Sequence, residues 1–99
     1  MKNLINYIYE NSELDELYDE VELTLDKFGN IQHGFKMSDK QDIIDAMYQL
    51  GFDYDDESNN DECMSFVGDY INGKYEVDLY IARQSGEKVK LRNFKVTEI

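Results

Sequence analysis

The chain is poor in bases and in reactive side chains. Its 99 residues hold 10 Lys+Arg against 22 Asp+Glu, with one cysteine, one histidine, no proline and no tryptophan. A single cysteine, Cys63, excludes a disulfide framework and makes an intracellular, cytoplasmic home the expectation. No uncharged stretch exceeds eight residues, and Asn3–Tyr9 runs to seven, far short of the ~20 apolar residues that a membrane-spanning helix needs. The amino terminus, Met-Lys-Asn-Leu-Ile-Asn, carries one base and no adequate apolar region, so no signal peptide is expected. With a net charge of −12 the chain is not expected to bind bare nucleic acid or an anionic membrane directly. No Pro/Gly/Ser-rich linker divides it, and its length suits one domain over residues 1–99.

What is present is acid, unevenly placed. Residues 1–62 hold 17 acids and 4 bases, a net of −13, while residues 63–99 hold 5 acids and 6 bases, a net of +1. Hydrophobic residues make up 41% and aromatics 13%, which is enough apolar surface for a packed core despite the charge.

The apolar periodicity organises this charge into elements. Leu4, Tyr7/Ile8, Leu14 and Leu17/Tyr18 recur near a 3.6-residue period, which predicts a helix over roughly 2–18, or a shorter one breaking near Asn11-Ser12. Glu20-Val21-Glu22-Leu23-Thr24-Leu25-Asp26 alternates strictly, as a half-buried strand does; Phe28-Gly29-Asn30 reads as a turn and Ile31, His33, Phe35 as a returning strand. Ser38, with Gln41 three residues on, predicts a capping box. Ile43, Ile44, Met47 and Leu50 form the apolar stripe of a second helix that Gly51 stops. After the polar loop Asp55–Glu62 the pattern turns to β. Met64, Phe66 and Tyr70 alternate, Asn72-Gly73 predicts a hairpin turn, Tyr75, Val77, Leu79 and Ile81 continue, and Ser85-Gly86 turns the chain again. The phase slips between Leu91 and Phe94, predicting a bulge or a strand end near Arg92-Asn93. The expected fold is α+β in the order α-ββ-α-βββ, an antiparallel sheet of about five strands with two helices packed on one face.

Chemistry is harder to place. His33 lies beside Ile31 and Phe35 as a packing residue would, and Cys63 has neighbouring acids that blunt a thiol nucleophile. An EF-hand loop begun at Asp53 puts Ser58 where glycine is needed and Met64 where glutamate is needed; begun at Asp55 it puts Asn60 and Phe66 there. No phosphate-binding glycine loop, nucleophile elbow or zinc spacing occurs. The expectation is no enzyme, no cofactor and no metal.

Three acidic clusters remain as candidate partner-binding residues: Glu10, Glu13, Asp15, Glu16, Asp19, Glu20 and Glu22; then Asp39, Asp42 and Asp45; then Asp53, Asp55, Asp56, Glu57, Asp61 and Glu62, with Tyr54 among them. Like charges three or four residues apart on a helix cost a few tenths of a kcal/mol per pair. A net charge of about 2–8 in magnitude already keeps a small domain soluble, so −12 exceeds what solubility asks. On the Glu10–Asp26 and Asp53–Glu62 runs, carried by a compact α+β frame, the chain resembles the class of small acidic inhibitors of phages and mobile elements, DNA-mimic anti-CRISPR and anti-restriction proteins included. That resemblance implies blockade of a basic nucleic-acid-binding nuclease or CRISPR effector. The alternatives are an immunity protein or antitoxin against one basic toxin, and a small enzyme or ligand binder using His33, Cys63 or a carboxylate pair. Lys88, Lys90, Arg92 and Lys95 in the last strand guard its edge, pair with an acidic neighbour, or meet RNA or the acidic face of a second subunit in a homodimer.

Overall fold

In the computed structural model, residues 2–29, 34–55 and 62–99 are described, with side chains from residue 13 onward in the first helix. The elements run α1 (Lys2–Leu25), a 3₁₀ turn (Asp26–Phe28), β1 (Ser38–Asp39), α2 (Lys40–Leu50), β2 (Phe52–Tyr54), β3 (Cys63–Tyr70), β4 (Gly73–Ser85) and β5 (Lys88–Glu98). The strands form one antiparallel sheet in the order β1-β5-β4-β3-β2. This is the expected class, two helices and five antiparallel strands.

The expected strand at Glu20–Asp26 is instead the last part of α1, which also runs through Asn11-Ser12 without a break. Leu17, Val21 and Leu25, four residues apart, are wholly buried, with Leu14 packed beside them. Val21 and Leu25 fit either period. Leu23 decides between them, since a strand would bury it with the other two and it is 68% exposed. Phe35 is buried but lies outside any strand, and Ile31 and His33 fall outside the described residues. The fifth strand comes from Phe52–Tyr54, too short to stand out as a strand, paired to β3 with Phe52 opposite Gly68. A methyl at Gly68 would collide with the Gly51 carbonyl oxygen and the Phe52 ring, so glycine is what lets β2 approach.

The helix caps divide. Gly51 closes α2 in the left-handed region, φ 105°, its N–H donating to the Met47 and Tyr48 carbonyls. The expected capping box does not form. Asp39 is the N-cap and makes no side-chain cap bond, and Ser38 Oγ donates to the Lys36 carbonyl at 3.3 Å. The start of α2 is held by the Lys40 N–H donating to the Glu87 carbonyl at 2.9 Å, while Gln41 Nε2 donates to Asp45 Oδ1 at 2.9 Å.

The β3–β4 turn is Ile71-Asn72, one residue earlier than expected, because Tyr70 pairs with Gly73. Ile71 carries the positive φ, 53°, an uncommon and strained state for a β-branched residue. The bulge is where the phase slip predicted it. Tyr80 pairs with Asn93 and Ile81 with Leu91, leaving Arg92 over; Arg83 then pairs with Lys90, leaving Ala82 over. This double irregularity keeps Leu91 and Phe94 both in the core.

Tyr75, Val77, Leu79 and Ile81 of β4 and Val89, Leu91, Phe94 and Val96 of β5 turn toward the helices, where Ile43 and Met47 of α2 meet them. The opposite face of the sheet, the open face, carries the alternate residues, and among the described residues no helix covers it. Among the described residues no helix is long and apolar enough to cross a membrane.

Truncating Leu17→Ala should lower unfolding free energy by about 2–5 kcal/mol in urea titration, as expected for a fully buried leucine. A cost below 1 kcal/mol would contradict the α1 packing. Ile71→Asn should do the reverse and stabilise by about 0.5–1.5 kcal/mol in the same titration, relieving left-handed strain at an exposed turn.

Candidate interaction surfaces

The acids lie on both sides of the sheet. On the helical side, α1 exposes Asp15, Glu16, Asp19 and Glu20, with Glu13 and Glu22 half-buried. β1 and α2 add exposed Asp39, Asp42 and Asp45. Glu10 lies in α1, its side chain outside the described residues. The apolar row Leu17-Val21-Leu25 faces inward, so the helix period alone turns Asp15 and Asp19, and Glu16 and Glu20, outward in i,i+4 pairs. Large side chains stand among them: Tyr18, Leu23 and Tyr48 are 43%, 68% and 68% exposed. This layer therefore offers both charge and contact area.

Three acids of α1, Glu13, Glu16 and Glu20, also act on tyrosines of the sheet. The Tyr75 hydroxyl donates to Glu13 Oε2 at 3.3 Å, tying α1 to β4. Burial pushes the Tyr75 hydroxyl above its ordinary range, and the Glu13 carboxylate adds to the shift. Tyr70 is raised likewise, by burial first and then by Glu20 and Glu16. The negative potential of α1 is thus felt at the β3–β4 end of the sheet.

The third expected cluster divides. Asp56, Glu57 and Asp61 fall outside the described residues, and Glu62 is exposed ahead of β3. Asp53 and Asp55 belong to the open face, because Asp53 pairs with Val67 while Phe52 and Tyr54 point to the core. They line a cleft of about 380 Å³ with Val67, Asp69 and Lys74. Tyr54 also lines this cleft, but its ring is tilted against Phe66 at 5.3 Å between centroids and packs on the core.

Sequence reading passed over the rest of this acidic group. Glu76 and Asp78 project from β4 onto the open face, where Asp78 Oδ1 accepts a 2.8 Å bond from the buried Ser65 hydroxyl. Burial, then the charge and hydrogen bond of Asp78, then the charge of Asp55, push the Glu76 carboxyl above its ordinary range. The signal lay in the alternation Tyr75-Glu76-Val77-Asp78-Leu79, which places both acids on the face away from the core. Cys63 is half-buried beside them, its sulfur 3.8 Å from Ser65 Oγ. Burial raises its thiol further from the thiolate, and Asp78 and Glu76 add to this, so it is a poor nucleophile. Among the described residues, no three His, Cys, Asp or Glu side chains converge as a metal site.

The bases gather along β5. Lys27, Lys36 and Lys88 line a cleft of about 300 Å³ with Ser38, Asp39 and Asp42. From Lys88 the strip continues through Lys90, Arg92 and Lys95 on the open face, with Arg83 directly opposite Lys90. Arg92 sits over the Tyr80 ring, 5.5 Å from its centroid.

Because the folded state holds the Glu76 proton more tightly than the unfolded chain, stability gains as pH falls from neutrality through the raised value toward the ordinary one. Glu76→Gln should therefore raise Tm at pH 7 by roughly 1–3 °C, the effect of relieving a few tenths of a kcal/mol of like-charge repulsion. The gain should vanish by about pH 4 in calorimetry; an equal gain at both pH values would show that charge is not its cause. Comparison of the chain with protein-family models, with curated proteins and with solved structures gives no match.

Proposed function

We propose that this protein is a non-enzymatic inhibitor that seats its acidic helical layer in the basic groove of a nucleic-acid-binding protein and so blocks access of DNA or RNA. The observation that carries this reading is the helical side of the molecule, where α1, α2 and the end of β1 expose Asp15, Glu16, Asp19, Glu20, Asp39, Asp42 and Asp45, and the helices also expose Tyr18, Leu23 and Tyr48. Acids on successive helical turns rise about 4.5–6 Å along the axis, on the scale of the ~3.4 Å axial step between phosphates of a duplex strand. The tyrosines supply contact area at low entropic cost. Such a surface speeds encounter with a basic groove and loses strength as salt rises. A nuclease and a CRISPR effector are the partner classes that present grooves of this kind. Neutralisation of one basic toxin would use the same surface.

Affinity capture followed by mass spectrometry, at 50 and 500 mM salt, is the direct test. The wild-type chain should retain a basic nucleic-acid-binding protein at low salt and release it at high salt or on addition of the cognate nucleic acid. Asp15→Lys, Asp19→Lys, Asp42→Lys and Asp45→Lys combined should weaken that capture at least tenfold, from about 0.2–1 kcal/mol per exposed charge pair. Capture undiminished by the four reversals would refute the reading.

A further inference from the structure

Strand β5 has two neighbours over only part of its length. β1 pairs with it at Lys88 and Val89 alone, so from Lys90 to Glu98 it has β4 on one side and, among the described residues, no strand on the other. Among the described residues that edge carries no paired strand over about 30 Å, at ~3.3–3.4 Å per residue. Its backbone N–H and C=O groups alternate outward, a ready template for one more strand. The side chains beside it are sorted by face. Lys90, Arg92 and Lys95 stand on the open side, while Leu91, Phe94 and Val96 turn into the core. The bulge at Arg92 keeps the bases on one side through the phase change. On the core side the flank is aromatic, with the half-exposed Tyr18 ring stacked on Phe94 at 4.5 Å.

From this edge we infer that β5 is a docking strand for an extended segment of a partner protein that alternates acidic with apolar or aromatic residues. Added as a sixth strand, such a segment brings its acids opposite Lys90, Arg92 and Lys95 and its apolar residues against Tyr18. The match in spacing follows from the shared two-residue period of paired strands. Arg83 and Lys90 already face each other as like charges across the ladder, an arrangement that costs energy in the free protein and that an incoming carboxylate relieves. Two other occupants fit less well. A second copy pairing β5 to β5 brings basic strips together, and a nucleic acid has no repeating amide backbone with which to continue the ladder. The bases and the bulge that repel unwanted strands thus choose an acidic one. This inference concerns the β5 edge, which shares only Tyr18 with the acidic helical layer, and does not rest on that layer.

The test is amide-resolved NMR and hydrogen exchange on the full chain with the peptide acetyl-Glu-Val-Glu-Tyr-Glu-Val-Glu-Thr-amide as probe. The probe should shift the amides of Lys90–Glu98 and slow exchange of those pointing outward at least fivefold. A peptide of the same composition with its acids in one block should bind at least tenfold more weakly. The variant Lys90→Glu/Arg92→Glu/Lys95→Glu should lose at least tenfold in affinity, and the neutral Lys90→Gln/Arg92→Gln/Lys95→Gln should fall between. The exchange measurement on the wild-type chain needs no variant to fold. No change at Lys90–Glu98 at millimolar probe overturns the proposal. So does equal binding of the blocked peptide, tighter binding of a twelve-nucleotide oligothymidylate at the same amides, or dimerisation of the free chain through β5.

Discussion

The row Leu17-Val21-Leu25 holds α1 across the sheet, and the distribution of charge follows from that contact. A helix can bury one stripe only, so committing this row to the core sends Asp15, Glu16, Asp19 and Glu20 outward or to the flanks. The sheet obeys the same restriction with a different period. With both helices on one side, each strand has one set of alternate residues in the core and the other set at the open face. The chain therefore has two surfaces with different rules. The helical layer groups acids by the three- and four-residue steps of a helix. The open face groups them by alternation along a strand, as with Glu76 and Asp78, and by adjacency of strands, which brings the sequence-distant Asp55 near Glu76.

What could be read from the chain depended on how many residues carried each pattern. The β3–β4–β5 meander was legible because it repeats its alternation over long strands, and the bulge because Leu91 and Phe94 break phase visibly. α2 was legible from its stripe and from Gly51, whose left-handed conformation is the reason a glycine stands there. Residues 20–26 misled because Val21 and Leu25 serve a helix as well as a strand. Leu23 alone separated the two, and its exposure is a property of the packed molecule. β1 and β2 have two and three residues and exist only because β5 and β3 offer them partners. No local signal announces a strand of that kind. Ser38 failed as a cap because α2 begins at Lys40, which puts Asp39 at the N-cap and Ser38 one residue outside it.

The candidate site was legible in part. Composition marked the helix acids, and periodicity placed them outward. It also presented the acids of residues 1–62 as one front, whereas the described ones divide between two sides of the sheet. Tyr54, which follows the core residue Phe52 in alternation, packs toward the core like its partner position Phe66. The converse holds for Glu76 and Asp78, which stood in a segment of nearly neutral net charge and so attracted no notice. Charge counted along a chain measures composition; the field at a surface depends on which strands are adjacent.

The paired irregularities at Ala82 and Arg92 have a consequence for cooperativity. They divide the β4–β5 hairpin into a stem, rooted by Val77, Leu79, Ile81, Leu91, Phe94 and Val96, and a tip from Ala82 to Lys90 in which Val89 is the one buried residue. The tip is fastened to the rest of the molecule chiefly through β1 and the Lys40–Glu87 bond. The Lys40–Glu87 bond ties the first turn of α2 to this tip, so the end of the hairpin and the start of the helix are ordered together.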